Sequence, residues 1–192
     1  MDTCAGAACA TLRRMDTAAP PPHRRCFIAL MLPTSAWPAL EAARALWRWP
    51  AAVRPLSGPD LHMTLHFIGD LAVAQPDALS AALSGVTMRP LQVAIDAPAL
   101  WNNETAVLTG VASPEMGALH DAVGRALAGT GLPVDARRWR PHVSLARSAR
   151  GAIVPAVPTP VSWQATGLAL ACASGGGAQR YRLLRTWPAA RA

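Results

Sequence analysis

The 192-residue chain contains no lysine, so its 18 Lys-plus-Arg positions are all arginine. That absence removes mechanisms built on a primary amine: a Walker-type phosphate loop, a Schiff-base enzyme and a covalent nucleotidyl-lysine ligase. Guanidinium remains for phosphate, with planar donors that bind oxyanions in a bidentate manner. Cysteine is sparse: Cys4, Cys9, Cys26 and Cys172 form no CxxC pair and lack the close, even spacing of a secreted disulfide scaffold. Reduced thiols in a cytoplasmic protein are therefore expected. No apolar run reaches the roughly 18 residues of a membrane span, so no membrane partner is expected. Charged residues are few, 15% against 52% hydrophobic, a balance that argues for a real core over global disorder.

The length suits one compact domain, or two small lobes sharing a core. The 18 positive charges exceed 11 negative ones, leaving a formal +7 that points to an anionic partner such as nucleic acid. Genome base composition is the competing explanation of an Ala, Arg and Pro excess. Residues 1–24 read as a flexible extension, or as the product of a start codon called too early, with Met15 as an alternative start. Asp2 stands where a signal peptide needs positive charge, and the Ala-rich run stops at Arg13 and Arg14. Residues 25–188 are expected to form a single bilobal domain, with 189–192 as a tail.

Within that span, "CFIALMLP" (26–33) suits a buried strand ended by proline. A helix follows, with Ser35 as its cap, Pro38 in its first turn, Leu40, Ala43 and Trp47 at helical spacing, and Pro50 as the stop. A second helix is predicted over about 75–84. "LQVAIDA" and "TAVLTGV" read as strands. The clearest helix is "SPEMGALHDAVGRALAGTG", with Ser113 as N-cap, Pro114 at the first helical position and Glu115 facing the helix dipole. "HVSLAR", "VSWQATGLALACA" and "RYRLLRTW" supply the remaining strands, and 151–160 a Pro-rich loop.

"LHMTLHFIGD" (61–70) and "RPHVSLAR" (140–147) share one pattern, His, aliphatic, hydroxyl residue, Leu. Alternate side chains of a strand share a face, so His62 and Thr64 point one way, and Leu61, Met63, Leu65 and Phe67 are expected in the core. His142 and Ser144 share a face in the same manner. Were the two strands, near 61–67 and 141–147, paired about a pseudo-twofold axis, two imidazoles and two hydroxyls would converge on one cleft. Imidazole titrates near neutrality, so one ring can take a proton while the other gives one up. The hydroxyls can donate to non-bridging phosphate oxygens, and the scheme requires no metal. A single His-x-Thr is usually a surface pair; the recurrence carries the reading. Alternation places His66 on the His62 face as well. The His62/His66 spacing resembles a zincin helix, but Met63 replaces the needed glutamate and the segment reads as strand. His23 and His120 are read as incidental.

These motifs resemble those of the two-histidine phosphoesterase superfamily and, within it, the bacterial RNA 2',3'-cyclic phosphodiesterases, also called 2'-5' RNA ligase-like proteins. "RCFIALMLP" resembles the family's opening strand, "LHMTLHFIGD" and "RWRPHVSLAR" its two motifs, and "RYRLLRTWP" its closing strand, covering about 24–188. The resemblance implies an α+β, bilobal, pseudo-twofold fold: two antiparallel sheets backed by helices, with a central cleft. It implies hydrolysis of RNA 2',3'-cyclic phosphate ends to 2'-phosphate without metal or other cofactor, with reversible 2'-5' RNA ligation as an accompanying reaction. The partner would be RNA with such ends, tRNA-like fragments included, and the protein a cytoplasmic monomer. Carried over, His62 is the proton donor, His142 the proton acceptor, and Thr64 and Ser144 bind phosphate. Arg147 matches a family arginine that lies against the terminal base or its phosphate; its other reading is a solvated charge. Arg54 is a further RNA contact or an ordinary exposed arginine, and Phe27 a base-stacking ring or a core residue. Ser144 departs from the usual threonine, losing a methyl that stiffens the rotamer. His66 stands where relatives are often basic, and "RPLSGPD" lacks the common Trp. Two readings compete: a phosphodiesterase acting on 2'-5' oligonucleotides or small cyclic nucleotides, and a non-catalytic module that binds RNA ends.

Overall fold

Two strand–helix–strand units, each ending in one histidine motif, generate the architecture. In the first, β1 (Arg24–Met31) leads through a 3-10 turn into α1 (Trp37–Ala45) and returns as the motif strand β2 (His62–Leu71). In the second, β5 (Thr105–Thr109) leads into α3 (Pro114–Gly129) and returns as β6 (His142–Ala146). Between them lie α2 (Pro76–Ser84), β3 (Leu91–Ile95) and β4 (Ala97–Trp101); β7 (Val161–Ala165), β8 (Gly167–Ala173) and β9 (Tyr181–Pro188) follow. The computed structural model describes residues 24–56, 58–71, 76–132, 134–135, 137–174 and 179–190. The readings of Cys4, Cys9, His23 and the extension up to residue 23 fall outside these, as does the tail beyond 190.

Seven strands form one antiparallel sheet in the order β4-β5-β6-β2-β1-β8-β9, and β3 pairs with β7 in a smaller one. This order is symmetric about the β2–β6 junction: β1 flanks β2 as β5 flanks β6, and β8 flanks β1 as β4 flanks β5. The α+β class and the pseudo-twofold relation follow from that arrangement. The symmetry also fixes the site, because the two motif strands are the pair on the axis.

One face of the large sheet is packed against helices. α3 lies on β2 and on α2, α2 reaches β9, and α1 meets β7 of the small sheet. The α3 sequence explains its seat: Met116, Leu119, Val123 and Leu127 recur at helical spacing and are all buried. Ser113 caps it, its side chain accepting from the Met116 N–H at 3.2 Å, with Pro114 in the first turn. Gly124 of α3 faces His66; a Cβ there would sit 3.2 Å from the imidazole, a tight contact that would press the ring back by a few tenths of an ångström. At Gly167 a Cβ would come within 2.6 Å of the Trp187 carbonyl, so glycine lets β8 and β9 close.

Several sequence expectations are corrected. Ser35 does not cap α1: it lies inside the 3-10 turn Thr34–Ala36, and Ala36 takes the cap position with no side-chain hydrogen bond. The segment 161–173 is not one strand, because it changes sheets at Thr166, whose carbonyl accepts from the Ala189 N–H at 2.7 Å. The strand β4 was not expected; it runs along the sheet edge, where its Pro98 is tolerated. The cysteines are not all unpaired: Cys26 and Cys172 stand opposite each other in the β1–β8 register and form a disulfide. Their separation of 146 residues hides that pairing from any argument on spacing. Among the described residues no helix is long and apolar enough to cross a membrane.

Candidate active site

Motif strands β2 and β6 meet at one register pair, Met63 opposite Val143, and both side chains are fully buried in the core. Continuing that antiparallel register by one residue each way sets His62 opposite Ser144 and Thr64 opposite His142. All four lie on the face away from Met63 and Val143. Diagonal positions of an antiparallel pair lie about 7–8 Å apart, which on this register is the relation of the two histidines, and His142 is near enough to act electrostatically on His62.

Each histidine is aimed by the same device. His62 Nδ1 lies 2.7 Å from the carbonyl of Asp60, and His142 Nδ1 lies 2.8 Å from the carbonyl of Arg140, in both cases two residues back along the chain. A carbonyl only accepts, so each Nδ1 carries its proton and donates, and each Nε2 is left for substrate. Asp60 is itself anchored: its Oδ1 accepts the backbone N–H groups of Arg180, at 2.9 Å, and Tyr181, at 3.3 Å. The closing strand thereby holds the residue that orients the first histidine.

The environments of the two rings differ. His62 is 8% exposed, stacked on Phe27 with centroids 4.4 Å apart, and meets the edge of Tyr181 at 5.1 Å. Burial holds its pKa down at about 4, against the raising pull of the Asp60 carbonyl, and the Arg147 and His142 charges lower it further. His142 is half-buried beside Trp101, 4.4 Å between centroids. Its pKa is also lowered, first by burial, then by Arg140 and Arg147, against the raising Arg140 carbonyl. Burial and the neighbouring arginines therefore favour two neutral rings; a phosphate anion, by stabilising imidazolium, raises both pKa values.

The remaining sequence candidates fall in different places. Arg147 is exposed and donates from Nη2 to the Tyr181 hydroxyl at 3.3 Å, on the same side of the cleft as His62. Phe27 is 2% exposed and serves as the floor under His62. Arg54 turns back on its own loop, donating to the carbonyls of Ala51 at 2.5 Å and Val53 at 3.2 Å; no hydrogen bond among the described residues ties it to the motif histidines.

His66 does not share the His62 face. The β1–β2 register pairs Ala29 with Thr64 but Ile28 with His66, so Leu65 is an extra residue and the alternation reverses there. His66 turns toward α3, where its Nε2–H donates to the His120 carbonyl at 2.8 Å. The same bulge brings Phe67, expected in the core, onto the cleft side, 51% exposed and 6.0 Å from Phe27. His120, read from the sequence as incidental, has its ring stacked between His66 and Trp139.

Sequence reasoning gave no role to Asp60, Trp101, Trp139 or Tyr181. Trp139 donates its indole N–H to the Thr64 carbonyl at 3.0 Å, fixing the motif strand where β6 diverges from it. Its signal was the aromatic residue three before His142. Tyr181 is the sole tyrosine of the chain, a usable signal; Trp101 sits on the unexpected strand β4. A cavity of about 480 Å³ opens beside the motif residues, with Thr64, Phe67, Trp101, His120, Trp139 and His142 among its walls.

Residues 32–175 match the sequence model of the 2'-5' RNA ligase superfamily. The chain is 28% identical over 170 residues to the RNA 2',3'-cyclic phosphodiesterase of Escherichia coli (strain K12), covering 85% of this chain and 96% of that protein. The crystal structure of E. coli LigT in apo form superposes with a TM-score of 0.75 at 25% identity, over 88% of this chain and 99% of that one. The complex of LigT with 3'-AMP gives 0.74 at the same identity and coverage.

Proposed function

The chain belongs to the 2'-5' RNA ligase superfamily, and on that premise we propose that it opens RNA 2',3'-cyclic phosphate ends to 2'-phosphates. The observation that carries the reading is the matched pair of histidines, each with Nδ1 tied to the carbonyl two residues before it and Nε2 without a hydrogen-bond partner among the described residues. In the reaction, His142 Nε2 takes a proton from water as its oxygen bonds to phosphorus. The bond from phosphorus to the 3' oxygen breaks, and His62 Nε2–H protonates that oxygen. Thr64 and Ser144 donate to the non-bridging oxygens, where negative charge accumulates. Arg147 adds positive charge at the terminal nucleotide. Its partners on this reading are RNAs with 2',3'-cyclic phosphate ends, tRNA-like fragments included.

The deciding experiment is product analysis. An oligoribonucleotide ending in a 2',3'-cyclic phosphate is expected to be hydrolysed in the presence of EDTA, giving a 2'-phosphate by phosphorus NMR. A 3'-phosphate product would overturn the assignment of the leaving oxygen, and dependence on added metal would overturn the acid–base scheme.

The pH dependence follows from the lowered pKa values. The productive free enzyme carries one proton beyond the Nδ1–H of each ring, and that form is most populated midway between two pKa values that both lie below 6.5. The bell of kcat/KM should therefore peak at acid pH. In the complex the phosphate anion raises both pKa values, so the bell of kcat should lie at higher pH. Coincident bells centred at or above neutrality would contradict the burial argument.

A further inference from the structure

Resting on that reading of the reaction, we propose that the cavity between β2 and α3 binds the nucleotide preceding the cyclic end, making the enzyme selective for oligonucleotide ends over nucleoside 2',3'-cyclic phosphates. The cavity is continuous with the catalytic patch, since Thr64 and His142 both line it. Neither Arg147 nor Tyr181 is among its walls, which run instead through Trp139 and Arg140 to Asp135 and His120. Its volume of about 480 Å³ lies within the ordinary range for small-ligand sites, roughly 300–1,000 Å³.

The chemistry of its walls is that of a single-stranded nucleic acid site. One short stretch before the second motif, "RRWR", brings Arg137, Arg138, Trp139 and Arg140 to the cavity. Alternating cations and aromatic rings suit a chain of phosphates and stackable bases. Arg137 is held by Asp135, which also faces the cavity, its Nε donating to Oδ1 and its Nη2 to Oδ2, so its charge is largely balanced there. The Arg140 guanidinium lies over the Trp101 ring, 4.4 Å from its centroid. Arg138 is exposed and makes no hydrogen bond or ion pair with another described residue, which leaves its donors for a phosphate.

The aromatic wall is already in place. His66, His120 and Trp139 form a column of three stacked rings, with centroids 4.1 and 4.8 Å apart and planes 22° and 17° from parallel. His66 is fixed by the His120 carbonyl, His120 contacts Asp121 at 3.2 Å, and Trp139 is fixed by the Thr64 carbonyl. A base meeting this wall orders few side chains on arrival, which lowers the entropic cost of binding. The catalytic scheme uses neither the column nor Arg138.

The test compares a nucleoside 2',3'-cyclic phosphate with a trinucleotide ending in the same nucleoside cyclic phosphate. The native protein should favour the trinucleotide in kcat/KM by at least ~10-fold, and Arg138→Glu and His120→Ala should each cut that preference at least ~5-fold, chiefly through KM. Thermal melting checks the fold of His120→Ala; Arg138 is exposed and its variant stands as the second arm. Binding of the 2'-phosphorylated trinucleotide product, followed by fluorescence anisotropy, is a readout free of turnover and should weaken in both variants. An unchanged preference in folded variants would overturn the proposal and leave the reaction standing. Failure of the native protein to cleave either substrate would remove the reaction, and equal product binding by native and variant proteins would remove the subsite.

Discussion

Replacing His62 or His142 with alanine is expected to slow hydrolysis of a 2',3'-cyclic phosphate end by at least ~10², the usual contribution of a positioned acid or base. Native and variant proteins turning over at the same rate would end the proposed mechanism. His62 is buried under Tyr181 and over Phe27, so its deletion also leaves a hole. His62→Gln, which keeps most of the side-chain volume, separates lost chemistry from lost packing if it melts near the native temperature and remains slow. The two roles separate on a substrate with sulfur in place of the 3' oxygen. A thiolate leaves without protonation, so this substrate should restore much of the rate to a variant lacking the acid and little to one lacking the base. Rescue of His62→Ala alone matches the assignment made above. Rescue of His142→Ala alone would exchange the roles, an outcome that the lower pKa of His62, already neutral at pH 7, would then explain.

How far the sequence could carry this site depended on whether local pattern or tertiary register decided each position. His62, Thr64, His142 and Ser144 were legible because a strand repeats every two residues and the same pattern occurs twice in one chain. Where alternation breaks, the same reasoning misplaces residues. One extra residue at Leu65 sends His66 to the helix side and Phe67 to the cleft, and no local composition announces that bulge. Contacts across long separations were equally hidden. Asp60 meets the start of β9 through backbone groups 120 residues away, and Cys26 meets Cys172 only because β8 lies beside β1. The helix α3 was read correctly from Ser113, Pro114 and its apolar stripe, all local signals. Thus the periodic, self-contained elements were foreseeable, whereas the residues that surround the imidazoles, Tyr181 and Trp101 above all, come from strands whose neighbours only the sheet order reveals.

Removal of both motif hydroxyls, in Thr64→Val combined with Ser144→Ala, should lower kcat by ~10² or more, because losing even one preorganised donor to a developing oxyanion costs about 10²–10³. The effect should fall on kcat more than on KM. The non-bridging oxygens already carry charge in the bound substrate, but a donor fixed in place strengthens its bond as negative charge grows in the transition state. Register adds a further expectation. Continued from the Met63–Val143 pair, the antiparallel register puts Ser144 across from His62 and Thr64 across from His142, so each hydroxyl neighbours the other motif's imidazole. Neighbours acting on one phosphorus centre do not contribute independently, and Ser144→Ala in a His62→Ala background should cost less than in the native protein. Ser144→Thr supplies the control, since it keeps the donor and adds the methyl that narrows its rotamers; its kcat should equal or exceed that of the native protein. A double variant with native kcat would show that these hydroxyls do not face the reacting phosphate, and would direct the search for its donors to Arg147 and Tyr181 across the cleft.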